Sequence, residues 1–264
     1  MAFALIDGLV LHYNVQGRAD APVLALVNSL GTDARIWDVV IALLAPHYCI
    51  VSYDKRGHGL SDAPTGDHTI AQHTGDLVGL LDHLGIARVA LAGVSVGGLI
   101  AQDFAVRYPQ RLTALVLCDT AAQIGTDAIW NARIAAVRGP GLASIVEPVM
   151  ERWFTPSYRQ QRPVDLAGWS NMFLRMPAEG YAGTCAALRD ADLTEAVAGI
   201  AAPTLVLVGD QDLSTPPELV RATAERIPKA RFQTIAGAGH LPMIEQPEVL
   251  VAALQQFFNE VGHG

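Results

Sequence analysis

Ser95 stands in Gly93-Val94-Ser95-Val96-Gly97, after the apolar run Val89-Ala90-Leu91-Ala92 and before Gly98-Leu99-Ile100-Ala101-Gln102. Eight serines and 24 glycines among 264 residues make a chance G-x-S-x-G a roughly 0.07 event, so context must decide what the motif does. A strand, a tight turn and a helix in that order present a serine hydroxyl at the carboxyl edge of a sheet, ready for nucleophilic attack. Glycines two positions to either side let neighbouring backbone pass close to a serine held in a strained conformation. Without that chemistry the stretch is a glycine-rich strand-to-helix turn.

A serine hydroxyl is a weak nucleophile at neutral pH and needs a base within hydrogen-bond reach. His12, His47, His58, His68, His73, His83 and His263 fall in an edge strand, in loops, on exposed helix faces or at the terminus, and read as solvated or locally bonded. His240 differs. It lies in the turn Gly237-Ala238-Gly239-His240-Leu241-Pro242 after the last expected strand, where the order nucleophile, acid, base puts the base. The acid belongs after the preceding strand, in Gly209-Asp210-Gln211-Asp212-Leu213. Asp210, at the strand end, can serve turn amides instead, and Asp212 can turn toward His240 to hold its tautomer. Asp119, after Leu115-Val116-Leu117-Cys118, is a third possibility. An oxyanion needs two backbone N–H donors: Val96, after the nucleophile, and Leu30, in Asn28-Ser29-Leu30-Gly31-Thr32, are the expected pair.

These residues need elements to hold them. Apolar runs at 22–28, 49–54, 88–94 and 112–119 alternate with helical patterns at 34–44, 70–84 and 97–108. Such near-continuous apolar strands between helices indicate a parallel sheet covered on both faces. Two earlier strands around Asp7-Gly8 read as an edge hairpin. From about Ala122 to Ala198 the strand signal vanishes, and helices are broken at Gly139-Pro140, Pro156, Pro163 and Pro177. Strands then resume at 203–209 and 231–236, with helices at 217–227 and 247–261. The expected organisation is an α/β core over residues 1–121 and 199–264 with an inserted helical cap over 122–198.

Half of the residues are apolar and 17% charged, enough for a large core. No apolar run approaches the roughly 18 residues that span a bilayer. The N-terminus has no basic start followed by an apolar stretch, so a cytoplasmic protein is expected. Cys49, Cys118 and Cys185 lie far apart in apolar contexts and read as buried thiols, without a disulfide or metal pattern. The net charge of −8 and the lack of a basic patch argue against nucleic acid, and an anionic small molecule would need a local cation. Oligomeric state is left open.

With nucleophile, base and acid placed, the whole chain resembles the α/β-hydrolase family, which implies a mostly parallel eight-stranded sheet with an inserted cap. Several stretches resemble the 3-oxoadipate enol-lactonases of aromatic catabolism: Asn28 to Asp33 with Trp37, Asp54-Lys55-Arg56-Gly57-His58-Gly59-Leu60-Ser61, Gly93 to Gly98, Leu117 to Ala122 with Ile124-Gly125, Glu151 to Thr155, and Cys185 to Asp192. The resemblance implies that the acid is the aspartate four residues before the loop proline, Asp212 before Pro216. Asn28-Ser29 replaces the His-Gly common elsewhere in the superfamily and matches the lactonase pattern. Arg56-Gly57-His58-Gly59 recurs as a structural loop and is given no catalytic role. The implied substrate is an enol lactone bearing an acetate arm, opened by water through an acyl-enzyme without metal or organic cofactor.

In the first cap helix, Ile129, Trp130, Ile134 and Val137 share one face, and Arg133 falls within that stripe. Arg133 either snorkels to solvent or takes the substrate carboxylate in bidentate fashion. Arg189 is a lesser candidate for that carboxylate, Trp153 an apolar wall, and Trp130 either pocket wall or cap core. Other activities of the superfamily compete with the lactonase expectation: a carboxylesterase, a cofactor-free perhydrolase or a C–C hydrolase. So does a non-enzymatic small-molecule receptor that keeps the hydrolase pocket.

Overall fold

A computed structural model describes residues 1–263. Eight strands form one sheet: β1 (Ala2–Ile6), β2 (Leu9–Gly17), β3 (Val23–Val27), β4 (Cys49–Tyr53), β5 (Val89–Val94), β6 (Leu112–Cys118), β7 (Thr204–Gly209) and β8 (Arg231–Ile235). The helices are α1 (Asp38–Leu44), α2 (Ile70–His83), α3 (Val96–Arg107), α4 (Asp127–Arg138), α5 (Val146–Trp153), α6 (Pro156–Gln161), α7 (Pro163–Leu174), α8 (Ala178–Arg189), α9 (Pro217–Arg226), α10 (Pro242–Glu245) and α11 (Pro247–Glu260). The helix expected over 34–44 is divided: Asp33 caps a 3-10 turn at Ala34–Trp37 by accepting the Arg35 N–H at 3.0 Å, and α1 follows.

The strand order is β1-β2-β4-β3-β5-β6-β7-β8, antiparallel through β1, β2 and β4 and parallel beyond. The hairpin around Asp7-Gly8 is present, with Ile6 paired to Leu9 and both turn residues at positive φ. From β3 the chain steps outward to β4, then returns past β3 to β5. Right-handed crossovers in opposite directions put α1 on one face of the sheet and α2 on the other. α11 packs on α1, and α3 packs on α2. β5 and β7 are buried throughout and β3 over most of its length, as strands covered on both faces must be.

The reversal between β3 and β5 opens a crevice at the carboxyl ends of these strands, where ligands bind in open α/β sheets. Register decides which side chains meet there. Tyr53, Val27, Gly93 and Leu117 pair in one row across β4, β3, β5 and β6. Two residues beyond that row the chain carries Lys55, Ser29, Ser95 and Asp119 at the carboxyl ends of the four strands.

Between β6 and β7 every regular element is helical apart from short 3-10 turns. The expected breaks fall at helix ends: Gly139 follows α4, Pro156 and Pro163 open α6 and α7, and Pro177 precedes α8. α8 lies backbone to backbone on the loop after β4. A methyl on Gly57 would sit 2.6 Å from Gly180 Cα, and one on Gly180 would collide with Gly57 Cα. Further along, the His68 N–H donates to the Gly183 carbonyl at 3.1 Å. Among the described residues no helix is long and apolar enough to cross a membrane. All three cysteines are buried and unpaired.

Candidate active site

Ser95 ends β5 and opens α3 with φ 58° and ψ −122°, a conformation a non-glycine residue holds only when its surroundings compel it. Its N–H donates to the Cys118 carbonyl at 3.1 Å. Its own carbonyl accepts from Thr120 Oγ1 at 2.7 Å and from the Gly98 N–H at 2.8 Å. The turn is packed as tightly as it is bonded: a Cβ on Gly97 would lie 2.5 Å from the Val27 carbonyl oxygen. The expected strained turn is therefore present, fixed by β3, β6 and the residues just after β6.

His240 Nδ1 lies 2.9 Å from Asp212 Oδ2, and both residues are buried. Asp212 also accepts the N–H groups of Ser214 and Thr215 and the Thr215 hydroxyl, the last at 2.6 Å. Burial pushes this carboxyl up, but charge on His240 and the bonds from His240, Thr215 and Ser214 outweigh it and leave its pKa below the ordinary value. Asp210 does what a strand-end aspartate often does: Oδ1 accepts the Gly237 and Ala238 N–H groups, shaping the His240 loop from below. Asp119 is fully buried, with Oδ1 accepting the Gly209 N–H at 2.8 Å and Oδ2 without a hydrogen-bond partner among the described residues. One oxygen of Asp119, one of Asp212 and a ring nitrogen of His240 lie within 4.8 Å of one another. Burial, then the Asp212 charge, raise the Asp119 pKa well above its ordinary value, which favours the protonated form of Asp119 over that of Asp212. Among the described residues no hydrogen bond joins Ser95 Oγ to His240, but both line one cavity. Such contacts often tighten only when substrate is bound.

Two backbone N–H groups beside Ser95 have no acceptor among the described residues. Val96 occupies the first position of α3, where no preceding carbonyl is in reach. Leu30 sits in the turn after β3, and its N–H makes no bond either. The loop around it is held firmly: Lys55 Nζ donates to the Ser29 carbonyl, and the Gly31 N–H donates to His58 Nε2 at 3.1 Å.

The cavity measures about 190 Å³ and is walled by the loop after β3, Ser95, His240, Leu213, and residues from α4, α5 and α8. Trp153 and Trp130 both line it, and Trp130 Nε1 is tied to the Ile124 carbonyl at 2.6 Å. Arg133 also reaches it, held by a 3.0 Å hydrogen bond to the Tyr181 hydroxyl and set 5.9 Å over the Trp130 ring. No carboxylate pairs with Arg133 among the described residues. Arg189 corrects an expectation: it lies outside the cavity, bound to Asp190, Asp67 and Asn131, so its charge is already neutralised. Arg152, for which the sequence suggests no role, lines the cavity, and among the described residues no carboxylate pairs with it. Its spacing from Val149 and adjacency to Trp153 on α5 were the available signal. His58 and His73, expected in a loop and on an exposed helix face, are instead fully buried and kept neutral by desolvation.

A strained serine at the switch point of a doubly wound sheet, with a buried His–Asp pair and two unpaired amides around it, is an arrangement of the α/β-hydrolase fold. Residues 24–253 match the family model described as the alpha/beta hydrolase family, and the chain belongs to that family and is a hydrolase. It is 36% identical over 254 residues to 3-oxoadipate enol-lactonase 2 of Acinetobacter baylyi, covering 95% of each chain. The crystal structure of the enol-lactonase from Burkholderia xenovorans LB400 superposes with a TM-score of 0.95 at 38% identity, over 98% of this chain and 100% of that one. A thermophilic esterase from Thermogutta terrifontis, solved with malate bound, gives a TM-score of 0.92 at 30% identity over 98% of each chain.

Proposed function

We propose that the protein hydrolyses 3-oxoadipate enol-lactone to 3-oxoadipate in aromatic compound degradation, with residues 122–198 as a cap over a core of 1–121 and 199–264. Ser95 Oγ attacks the lactone carbonyl and gives its proton to His240 Nε2. The Asp212 bond to Nδ1 fixes the tautomer that leaves Nε2 free to accept it. The carbonyl oxygen, now negative, is received by the N–H groups of Leu30 and Val96. The ring C–O bond then breaks, His240 returns the proton to the departing enol oxygen, and the enol becomes a ketone. Water, deprotonated by His240, attacks the acyl-enzyme, and Ser95 recovers its proton as the new carboxylate leaves.

The observation that carries the choice of an anionic substrate is the uncommitted arginine beside the serine. Arg133 lines the same cavity as Ser95, is oriented by Tyr181, and pairs with no carboxylate of the chain among the described residues. A cation left unpaired at the wall of a small cavity suits a substrate that brings its own carboxylate. The enol-lactonase relatives support the same substrate. The test is steady-state turnover of the enol lactone beside p-nitrophenyl acetate. Lactone turnover with the larger kcat/KM, abolished in Ser95→Ala, is expected; a preference for the neutral ester would favour the carboxylesterase reading that the Thermogutta neighbour suggests.

A further inference from the structure

The loop after β4 does more than support the fold. We propose that Lys55 is a positioning residue for the oxyanion, acting through the Ser29–Leu30 peptide, whose carbonyl it loads while the same peptide's N–H faces the reacting carbonyl. The inference rests on the reading of Ser95 as nucleophile and Leu30 as oxyanion donor.

The Ser29 carbonyl is unusually crowded with donors. Lys55 Nζ lies 2.5 Å away, Thr32 Oγ1 3.0 Å, and the Thr32 N–H and Asn28 Nδ2 each 3.4 Å. The N–H of that same amide, on Leu30, has no acceptor among the described residues and belongs to a residue lining the cavity with Ser95. Donation to an amide oxygen draws electron density from its nitrogen and makes the N–H a stronger donor, an effect that a low-dielectric interior enlarges. Lys55 is fully buried, and among the described residues this is the one hydrogen bond its side-chain amine makes. A lysine amine is costly to bury, and filling space with it is served as well by methionine.

Register explains how Lys55 reaches Ser29. Val27 and Tyr53 are partners in the ladder, so Ser29 and Lys55, each two residues on, leave adjacent strands together. His58 completes the brace. Its Nδ1–H donates to the Arg56 carbonyl at 3.0 Å and its Nε2 accepts the Gly31 N–H, so the next amide along is turned away from the cavity. Leu30 N–H is left as the loop's donor. The neighbouring Thr32 hydroxyl adds to the same polarisation.

The experiment compares Lys55→Met, Lys55→Gln and Thr32→Val in the full chain. It reads the rate constant of acylation by p-nitrophenyl acetate and the infrared carbonyl stretch of the acetyl-enzyme ester. Losing one oxyanion donor outright costs about 100- to 1000-fold in kcat in other hydrolases. Weakening one here predicts at least about a 10-fold slower acylation for Lys55→Met with KM little changed, and a carbonyl band moved toward that of a free ester. Lys55→Gln, which still donates an N–H, recovers part of both. Thr32→Val, nearly isosteric, moves both in the same direction by less, and serves even if Lys55→Met fails to fold. Folded Lys55→Gln and Thr32→Val proteins with wild-type rate and band overturn the inference. Ser95→Ala separates the two readings: if it still acylates, the nucleophile assignment has failed and the role of Lys55 falls with it, whereas an inactive Ser95→Ala beside wild-type Lys55→Gln and Thr32→Val overturns the role of Lys55 alone.

Discussion

The backbone N–H of His240 donates to the carbonyl of Trp153 at 3.0 Å, joining the loop that carries the imidazole to the end of α5. Glu245 reinforces that junction: Oε1 accepts the N–H and hydroxyl of Thr155, and Oε2 accepts the Gly239 N–H at 2.7 Å. Glu245→Ala removes all three bonds, each charge-assisted. A stability loss of about 1.5–3 kcal/mol is expected, with a lower kcat because His240 loses its support from the helical side. Thermal unfolding and steady-state kinetics on the same preparation check both, and unchanged values would separate the junction from the chemistry.

Asp212→Asn keeps the size of the side chain but favours the wrong imidazole tautomer. By analogy with serine-protease triads, kcat is expected to fall roughly 10,000-fold. Asp210→Asn, which can still accept the Gly237 and Ala238 amides, is expected to stay within a few-fold of wild type. A reversal of this order would move the acid to Asp210.

Arg133→Met is expected to lower kcat/KM for the anionic lactone by roughly 10- to 150-fold, the worth of one charged hydrogen bond of about 1.5–3 kcal/mol. A neutral ester of similar size is expected to be spared. Arg152→Met tests the second cation of the cavity in the same assay, and an equal loss on both substrates would assign either arginine to folding.

Asp119 and Asp212 have opposite consequences for stability against pH. Asp119, raised in the native state, holds its proton to higher pH than the unfolded chain, which releases it above about pH 4, so this group makes folding less favourable as pH rises through that range toward its raised native value. Asp212, lowered in the native state, adds stability that is present above about pH 4 and lost as pH falls through its native value. His58 and His73, buried neutral, remove stability as pH falls below about 6.5, where the unfolded chain takes up protons. Asp119→Asn isolates one member. Asparagine tolerates φ 47°, accepts the Gly209 N–H and needs no proton to donate toward Asp212. A higher Tm at pH 7 to 8 is expected, with the gain shrinking toward pH 4; a lower Tm at neutral pH would mean that Asp119 is ionised in the native state.

Sequence periodicity located the strands and helices because burial and alternation act on the residues themselves. Breaks at Pro156, Pro163 and Pro177 were visible for the same reason: proline ends or opens a helix whatever surrounds it. The choice of Asp212 over Asp210 needed a motif match, since both lie in one loop and differ only in where the side chain turns. Arg189 and Arg152 show the limit more sharply. Both sit on helices with helical spacing to apolar neighbours, yet one is captured by Asp67 and Asp190 and the other meets the cavity. Asp67 lies far from Arg189 in the chain, so no local pattern records the capture. Lys55 was hidden likewise, because its partner is a backbone carbonyl brought near by strand register.

Gly57 and Gly180 meet with no room for a methyl on either. Neither position can accept a side chain while the other keeps its place, and Gly57 in addition holds a φ of 76°. Replacing Gly180 with alanine therefore pushes α8 away from the loop that carries Lys55 and His58, and the change would be felt at Leu30, not only at the surface where it was made. The seating of α8 on the core is thus carried by two residues that have no side chain to vary.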